Sequence, residues 1–278
     1  MTLITHPHQT RQASQTTVEL VSLLGPNHQQ HLIDLVNHLN ATTSLSLKYQ
    51  PGELWTTHEK SLKSGNAQAG FICGLLGLQH EHLDFLAVPV PLAPRAKGQP
   101  VYFSDVVVHR DSIYDQLSEL TQAHWAYNDP TSLSGLAAPL AQLSRLGAAF
   151  TGDFTPSGSH LQSIQQVLTQ QVDAAAIDSQ VLSWVLRQQP RLRQELRVIA
   201  SLGPFPAPPF AVHQNLDPEV RQELQKALLN LHRTVSGQKL LDEAGFIHYQ
   251  LTHKDQYQPL LEVTAQAQIL RDRGVVHA

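Results

Sequence analysis

The hydrophobic residues in the first third of the chain fall into short apolar runs, separated by stretches with helical spacing. Apolar runs that end at glycine or proline predict buried strands, and leucines three and four residues apart predict helices. The predicted elements are strands over 18–24, 45–49 and 69–73, with helices over 31–39 and 55–63 between them. This β-α-β-α-β order is typical of a parallel sheet with helices on its faces.

Two further predicted strands, 83–90 and 101–109, are separated by a loop rich in proline and glycine at 91–98. A helix over 113–120 and a strand over 124–127 follow. A second α/β series then has predicted helices over 136–146, 159–170 and 180–187 and predicted strands over 148–150, 172–177 and 196–201. Four prolines in 202–210 exclude a helix and a central strand, so we expect a crossover there. Helices over 217–233, 236–244 and 256–271 complete the chain. The sequence therefore predicts an α/β fold with two lobes and a cleft between them.

Composition narrows the class of protein. The chain has 278 residues, of which 41% are hydrophobic, so it can bury a sizeable core. The formal net charge is −4 and no basic stripe is present, which disfavours a nucleic-acid partner. A single cysteine, Cys73, excludes an internal disulfide and a cysteine-rich zinc site. No apolar run reaches membrane-spanning length.

The first 17 residues are polar and rich in glutamine, threonine and histidine. Such a composition predicts a disordered tail. It has neither a basic region nor an apolar core of the kind found in signal peptides. Two interpretations stay open: a cytoplasmic protein, or one from which a leader has been removed.

The most informative segment is 127–135, with the sequence YNDPTSLSG. Thr131, Ser132 and Ser134 bring hydroxyl groups to the start of a predicted helix. A helix start carries unpaired N–H groups and a partial positive charge, so this segment can hold an anion. Ser132 or Ser134 can equally serve as the cap of the helix.

Two further segments have the same double interpretation. Ser159 and His160 begin the helix predicted at 159, where they either cap it or face an anion. A histidine there can also sense the protonation state of a dibasic anion. Asp178 follows a buried strand, at the sheet edge where ligands bind in open α/β folds. It can cap the next helix, and it would favour a protonated or amine-bearing ligand.

Other candidate residues have a stronger structural alternative. Tyr102 and Trp55 are aromatic candidates for the site, although most aromatic residues in such positions belong to the core. Cys73 lies in an apolar strand, where a thiol is usually inert. The run 80–82 (HEH) does not place its two histidines on one helix face, and we expect a solvated loop. The sequence has no HExxH, GxSxG, Walker or Rossmann pattern, so we predict no metal, cofactor or catalytic residue.

Five segments occur in an order that resembles a known family. They are QAGFICGL at 68–75, VYFSDVVV at 101–108, DPTSLSG at 129–135, GSH at 158–160 and VDAAAID at 172–178. In these segments the chain is similar to the substrate-binding proteins of phosphate, phosphite and phosphonate ABC importers, over about 18–273. The resemblance implies a type II periplasmic-binding-protein fold, with each lobe a mostly parallel sheet flanked by helices. It places lobe 1 at 18–108 and 206–278, lobe 2 at 109–205, and crossovers near 106–110 and 202–210.

The resemblance also implies a ligand site. A hydroxyl-bearing run that grips the ligand oxygens in the family corresponds to Ser132, Leu133 and Ser134. Leu133 replaces a hydroxyl residue, which removes one hydrogen-bond donor from the pocket. The binding tyrosine, histidine and acidic residue of the family correspond to Tyr102, His160 and Asp178. The expected ligand-binding residues are thus Trp55, Cys73, Tyr102, Thr131, Ser132, Leu133, Ser134, Ser159, His160 and Asp178.

The function implied is that of a solute-binding protein, without catalysis or cofactor. Its expected partners are a small oxyanion, such as phosphonate, phosphite or phosphate, and the membrane subunits of an ABC transporter. We expect a monomer, outside the cytoplasm if a leader was removed. Two alternatives stay open: a cytoplasmic or sensor module that binds another small molecule, and an enzyme like the pyrimidine-precursor synthases that uses Cys73.

Overall fold

Eleven strands in two sheets organise the computed structural model, which describes residues 17–49, 51–52, 55–146 and 150–277. They are β1 (Thr17–Ser22), β2 (Ser46–Tyr49), β3 (Ala69–Phe71), β4 (Leu83–Pro91), β5 (Val101–His109), β6 (His124–Tyr127), β7 (Asp153–Pro156), β8 (Ala174–Asp178), β9 (Leu196–Pro206), β10 (Phe210–His213) and β11 (Phe246–Gln250). The first sheet has the order β11-β4-β10-β3-β1-β2, and the second has the order β7-β6-β8-β5-β9.

Nine α-helices flank the sheets in the described part of the chain. They are α1 (Pro26–Thr42), α2 (Trp55–Lys63), α3 (Gly74–Leu78), α4 (Ala138–Arg145), α5 (His160–Leu168), α6 (Ser179–Gln188), α7 (Pro218–Asn230), α8 (Val235–Ala244) and α9 (Leu260–Arg271). A π-helical turn, Leu133–Ala137, leads directly into α4. None of the helices in these described ranges combines the length and hydropathy needed to cross a bilayer.

Strand directions agree with a mostly parallel arrangement in each lobe. In the first sheet β10 and β11 run against the other four strands, and in the second sheet β5 runs against the other four. The opposed strands are those that follow a passage from one lobe to the other, together with β11. The two-lobe α/β architecture predicted from the sequence is confirmed.

The first crossover lies earlier than predicted. The chain leaves the first sheet after β4 and enters the second at β5, so the crossover is 92–100 rather than 106–110. The whole of β5 therefore belongs to lobe 2, although the predicted boundary was at 108. Its position is explained by Val106, Val107 and Val108, which are fully buried between β8 and β9. The second crossover, 207–209, lies inside the predicted stretch, and the proline-containing β9 is an edge strand.

The C-terminal segment of the chain passes from lobe 1 back to lobe 2. The sequence placed all of 206–278 in lobe 1, whereas α9 packs against α4 of lobe 2. Leu260 and Leu270 of α9 join the apolar cluster around Trp125 of β6. Beyond the helix, Val276 forms a bridge with Phe154. These apolar contacts explain why the last helix leaves the first lobe.

Several local predictions also differ from the structure. The helix predicted at 113–120 is a loop followed by a 3₁₀ turn, Leu117–Gln122. The strand predicted at 148–150 falls largely on 147–149, outside the described residues, and β7 follows it instead. Two strands, β10 and β11, and the short helix α3 were not predicted. The predicted tail lies outside the described residues except for Thr17, which begins β1.

One apolar cluster connects the lobes beneath the cleft. It contains Ile72 and Leu76 from the first lobe and Trp125 and Leu136 from the second, all at most 3% exposed. Because this cluster is continuous, the facing edges of the two sheets are held in a defined relation. Polar side chains at these edges can therefore converge on one space.

Candidate functional site

A cavity of about 300 Å³ lies between the two lobes. This volume is at the lower end of the range for small-molecule sites. Its lining comprises Leu23, Leu24, Gly25, His28, Gln29, Cys73, Leu76, Tyr102, Asn128, Asp129, Thr131, Ser132, Leu133, Ser134, Gly158, Ser159, His160, Asp178, Val181 and Pro208. Nine of the ten predicted residues are among them. The exception is Trp55, whose side chain lies outside the described part of the structure.

The π turn places Ser132 and Ser134 in different roles. Ser132 is the cap: its Oγ accepts a hydrogen bond from Gly135 N at 3.0 Å. The N–H of Ala137 donates to the carbonyl oxygen of Ser132, five residues back, which widens the first turn. Ser134 is 4% exposed and has its carbonyl oxygen held by the Ser104 hydroxyl at 2.7 Å. The backbone of Ser134 is therefore held in place, which restricts the positions that its hydroxyl group can take.

The Ser134 hydroxyl lies between an imidazole and a phenol. Its Oγ is 3.4 Å from His160 Nε2, a long contact for a hydrogen bond. It also interacts with Tyr102, whose pKa is raised well above its usual value by burial. The three side chains come from three different elements, β5, the π turn and α5. A ligand oxygen that reaches Ser134 would meet all three.

A second helix starts at the same cavity. Ser159 caps α5, because its Oγ accepts from Gln162 N at 3.1 Å. His160 follows at the first helical position, and its Nδ1 is buried without a hydrogen-bond partner in the described protein. Burial lowers the pKa of His160 to about 4. The ring is therefore neutral at physiological pH and can donate from one nitrogen.

Asp178 ends β8 and is 8% exposed. Its Oδ1 accepts from Gln180 N at 2.7 Å, so the carboxylate caps α6 as well as lining the cavity. Burial raises the pKa of Asp178 to about 7, although the backbone hydrogen bonds from Gln180 and Val181 partly oppose this shift. Near neutral pH the carboxyl group is therefore present in both protonation states.

Leu133, Thr131 and Cys73 contribute less to polar recognition than their positions suggest. The Leu133 side chain is 1% exposed and belongs to the apolar cluster between the lobes. The Thr131 hydroxyl donates to Asp129 Oδ1 at 2.5 Å and is already engaged. Cys73 precedes α3, and burial raises the pKa of its thiol. These three residues shape the cavity more than they supply donors.

The lining has an unusual charge composition for an anion site. Among the described lining residues none is lysine or arginine, and two, Asp129 and Asp178, are acidic. The two histidines, His28 and His160, are both neutral because burial lowers the pKa of each to about 4. Recognition of an anion would thus depend on hydroxyl, imidazole and helix-start N–H donors. Such a site suits a ligand with low net charge.

Sequence reasoning missed the part of the lining that comes from lobe 1. Helix α1 begins at Pro26, five residues before the predicted start, which brings His28 to the cavity. The Gly25-Pro26 pair was the available signal, because proline is favoured in the first turn of a helix. Asn128 lay inside the segment singled out, yet its buried Oδ1, which has no partner in the described protein, could not be inferred. No group of three metal-ligating side chains occurs among the described residues.

Comparisons with known proteins point in one direction. The model of the family described as "ABC transporter, phosphonate, periplasmic substrate-binding protein" matches residues 27–257. A search of curated proteins finds no match. The solved binding protein of an ABC phosphonate transporter from Pseudomonas aeruginosa is 18% identical, with 91% of this chain and 87% of that chain covered and a TM-score of 0.79.

Two other solved structures are similar. PhnD1 from Prochlorococcus marinus, in complex with methylphosphonate, is 18% identical over 91% of this chain and 98% of its own, with a TM-score of 0.78. A protein from Xanthomonas citri bound to ATP is 20% identical over 92% of this chain and 98% of its own, with a TM-score of 0.69. At these identities the structural matches establish the fold alone.

Proposed function

Because the chain belongs to the family of periplasmic substrate-binding proteins of phosphonate ABC transporters, we propose that its inter-lobe cavity binds a small phosphonate or a closely related oxyanion. The observation that supports this proposal is the position of the Ser134 hydroxyl. It lies at a helix start, between Tyr102 and His160, and its only contact with the histidine is long. Hydroxyl and imidazole donors that converge in this way suit the oxygens of a tetrahedral anion.

The family is one of transport components rather than of enzymes, and it works outside the cytoplasm with the membrane components of ABC transporters. The family match does not favour the two alternatives, a cytoplasmic sensor and an enzyme that uses Cys73. Whether a leader precedes this sequence, and whether the protein is a monomer, stay predictions. Size-exclusion chromatography with light scattering would measure the molar mass and so test the prediction of a monomer.

The proposed mechanism is closure of the two lobes around the ligand. The second lobe supplies Ser134, His160, Asp178 and Tyr102, and the first lobe covers them with His28. A ligand that contacts both lobes shifts the population toward the closed form by its differential affinity for that form. The closed form would then present its own surface to the membrane subunits.

Isothermal titration calorimetry tests the proposal. The titrants are methylphosphonate, phosphite, 2-aminoethylphosphonate, phosphate and sulfate, each added to the same preparation. We expect saturable binding of at least one phosphorus oxyanion and weaker binding of sulfate, which carries no proton near neutral pH to offer to Asp178. If none of the five titrants binds, the proposed ligand class is wrong.

Asp178 gives the proposed binding a pH dependence. Its pKa of about 7 means that the carboxyl group is mostly protonated at pH 6 and mostly ionised at pH 8. An anion beside an ionised carboxylate is unfavourable, so binding takes up a proton as the pH rises through 7. We expect the affinity of the wild type, relative to that of Asp178→Asn, to fall about tenfold from pH 6 to pH 8.

The comparison with Asp178→Asn removes the titration of the ligand itself, since both proteins bind the same ligand. Asparagine also keeps an acceptor for the cap of α6. Asp153→Asn, which changes a carboxylate paired with His124 outside the cavity, is the matched control and should follow the wild type. A constant ratio of affinities between pH 6 and pH 8 would contradict a role for the Asp178 proton.

A further inference from the structure

A hydrogen bond crosses the cleft beside the cavity. It joins His28 Nε2, on α1 of the first lobe, to Gln180 Oε1, on α6 of the second lobe, at 2.9 Å. Because an amide oxygen can only accept, the proton lies on Nε2 of the imidazole. Burial lowers the pKa of His28 to about 4, so the ring is neutral and carries that single proton.

Both residues are firmly attached to their own lobe. His28 is 2% exposed and packs against the rings of Phe71 and Phe246, with centroid distances of 5.4 and 5.8 Å. Gln180 is fixed through its backbone, because its N–H donates to Asp178 Oδ1. The hydrogen bond therefore connects the core of lobe 1 to the carboxyl group that lines the cavity in lobe 2.

The remaining polar atoms of the pair have no other partner. His28 Nδ1 and Gln180 Nε2 are both buried without a hydrogen bond to the described protein. If either side chain is truncated, the polar atoms of the other are all buried without a hydrogen-bond partner in the closed form. Such an unpaired group costs more than the hydrogen bond itself contributes, whereas replacement of both residues by apolar side chains of similar shape can be nearly neutral.

We propose that His28 and Gln180 form a latch that sets how much of the protein is closed. Both are positioning residues in this role. The latch rests on the proposed function for its purpose, but its hydrogen bond is made between protein atoms alone. Opening of the cleft can therefore be measured directly on the unliganded protein.

Cys73 provides the measurement. It is the only cysteine of the chain and lines the cavity. Its rate of alkylation by N-ethylmaleimide without ligand reports how often the cleft opens. We expect His28→Ala and Gln180→Ala each to raise this rate about 3- to 10-fold. A double variant with leucine at both positions, which replaces both polar groups by apolar side chains of similar size, should return toward the wild-type rate. Gln180→Ala is the cleaner single variant because it leaves the aromatic packing around His28 intact.

Two variants separate a latch from a general loss of stability. His28→Gln keeps an amide N–H toward Gln180 and should restore most of the slow alkylation. His31→Gln changes the buried neighbour one turn along α1, which bonds to Tyr249 within lobe 1 at 2.6 Å. It should lower the melting temperature and leave the Cys73 rate unchanged. Equal rates in wild type and both single variants, or effects that multiply in the double variant, would overturn the latch.

A second titration distinguishes the latch from the proposed function. If methylphosphonate binds the closed form, its affinity follows the closed fraction, so Gln180→Ala should weaken the affinity by less than the rise in alkylation rate. If no oxyanion binds any of the proteins while the alkylation rates change as expected, the latch is supported and the proposed ligand class is wrong.

Discussion

Replacement of Ser134 by alanine should weaken the binding of methylphosphonate about 10- to 100-fold. A hydrogen bond to a charged group contributes about 1.5–3 kcal/mol, and each 1.4 kcal/mol is a factor of ten in affinity. The Ser134 backbone would not move, because its carbonyl oxygen is held by the Ser104 hydroxyl. The loss of affinity should therefore be larger than the loss of stability, to which only the lost contact with the buried Tyr102 hydroxyl contributes.

Two other serines provide the comparison for this variant. Ser132→Ala removes the cap of the π turn and should lower the free energy of unfolding by about 1 kcal/mol. Ser64→Ala changes a hydroxyl that bonds within its own turn after α2 and should alter neither quantity. If Ser134→Ala binds methylphosphonate as tightly as Ser64→Ala, then Ser134 is only part of the helix start and the proposed donor set is wrong.

Replacement of Trp125 by alanine should cost about 3–5 kcal/mol of unfolding free energy, the usual loss for a fully buried large aromatic residue. Trp125 lies on β6 and is fully buried. Its ring stacks on Phe154 of the neighbouring β7 at a centroid distance of 5.2 Å. Its side chain belongs to the cluster that joins the lobes, so the cavity it leaves would loosen the sheet that carries the site.

Urea denaturation followed by far-UV circular dichroism measures this loss without relying on tryptophan fluorescence. Val235→Ala is the matched control, because Val235 is 91% exposed and its truncation should change the free energy by less than about 0.5 kcal/mol. A Trp125→Ala protein that unfolds at nearly the wild-type urea concentration would show that the inter-lobe cluster contributes little to the free energy of unfolding.

The fold was largely readable from the sequence where pattern and local chemistry agree. Apolar runs that end at glycine or proline located most of the central strands, and Pro218 marked the start of α7. Crossovers were harder to place, because a strand buried on both faces has the same apolar pattern in either lobe. For this reason β5 was assigned to lobe 1. Helix α9 was also assigned to lobe 1, because its contacts with α4 come from tertiary packing that no local pattern contains.

The candidate site was partly readable for a different reason. Ser132, Ser134, Ser159 and Asp178 occur at helix starts, and caps have a local sequence signal. Whether a hydroxyl caps the helix or remains open to a ligand depends on distances that no local pattern contains. His28 was missed because its approach to the cavity requires the lobes to close against each other.

A crystal structure of the protein with methylphosphonate bound is the decisive test of the site. We expect the tetrahedral anion in the cavity between the lobes, with an oxygen within hydrogen-bond distance of Ser134 Oγ and another near the His160 ring. A phosphonate found only elsewhere on the protein, or an anion in the cavity that contacts neither of these side chains, would contradict it.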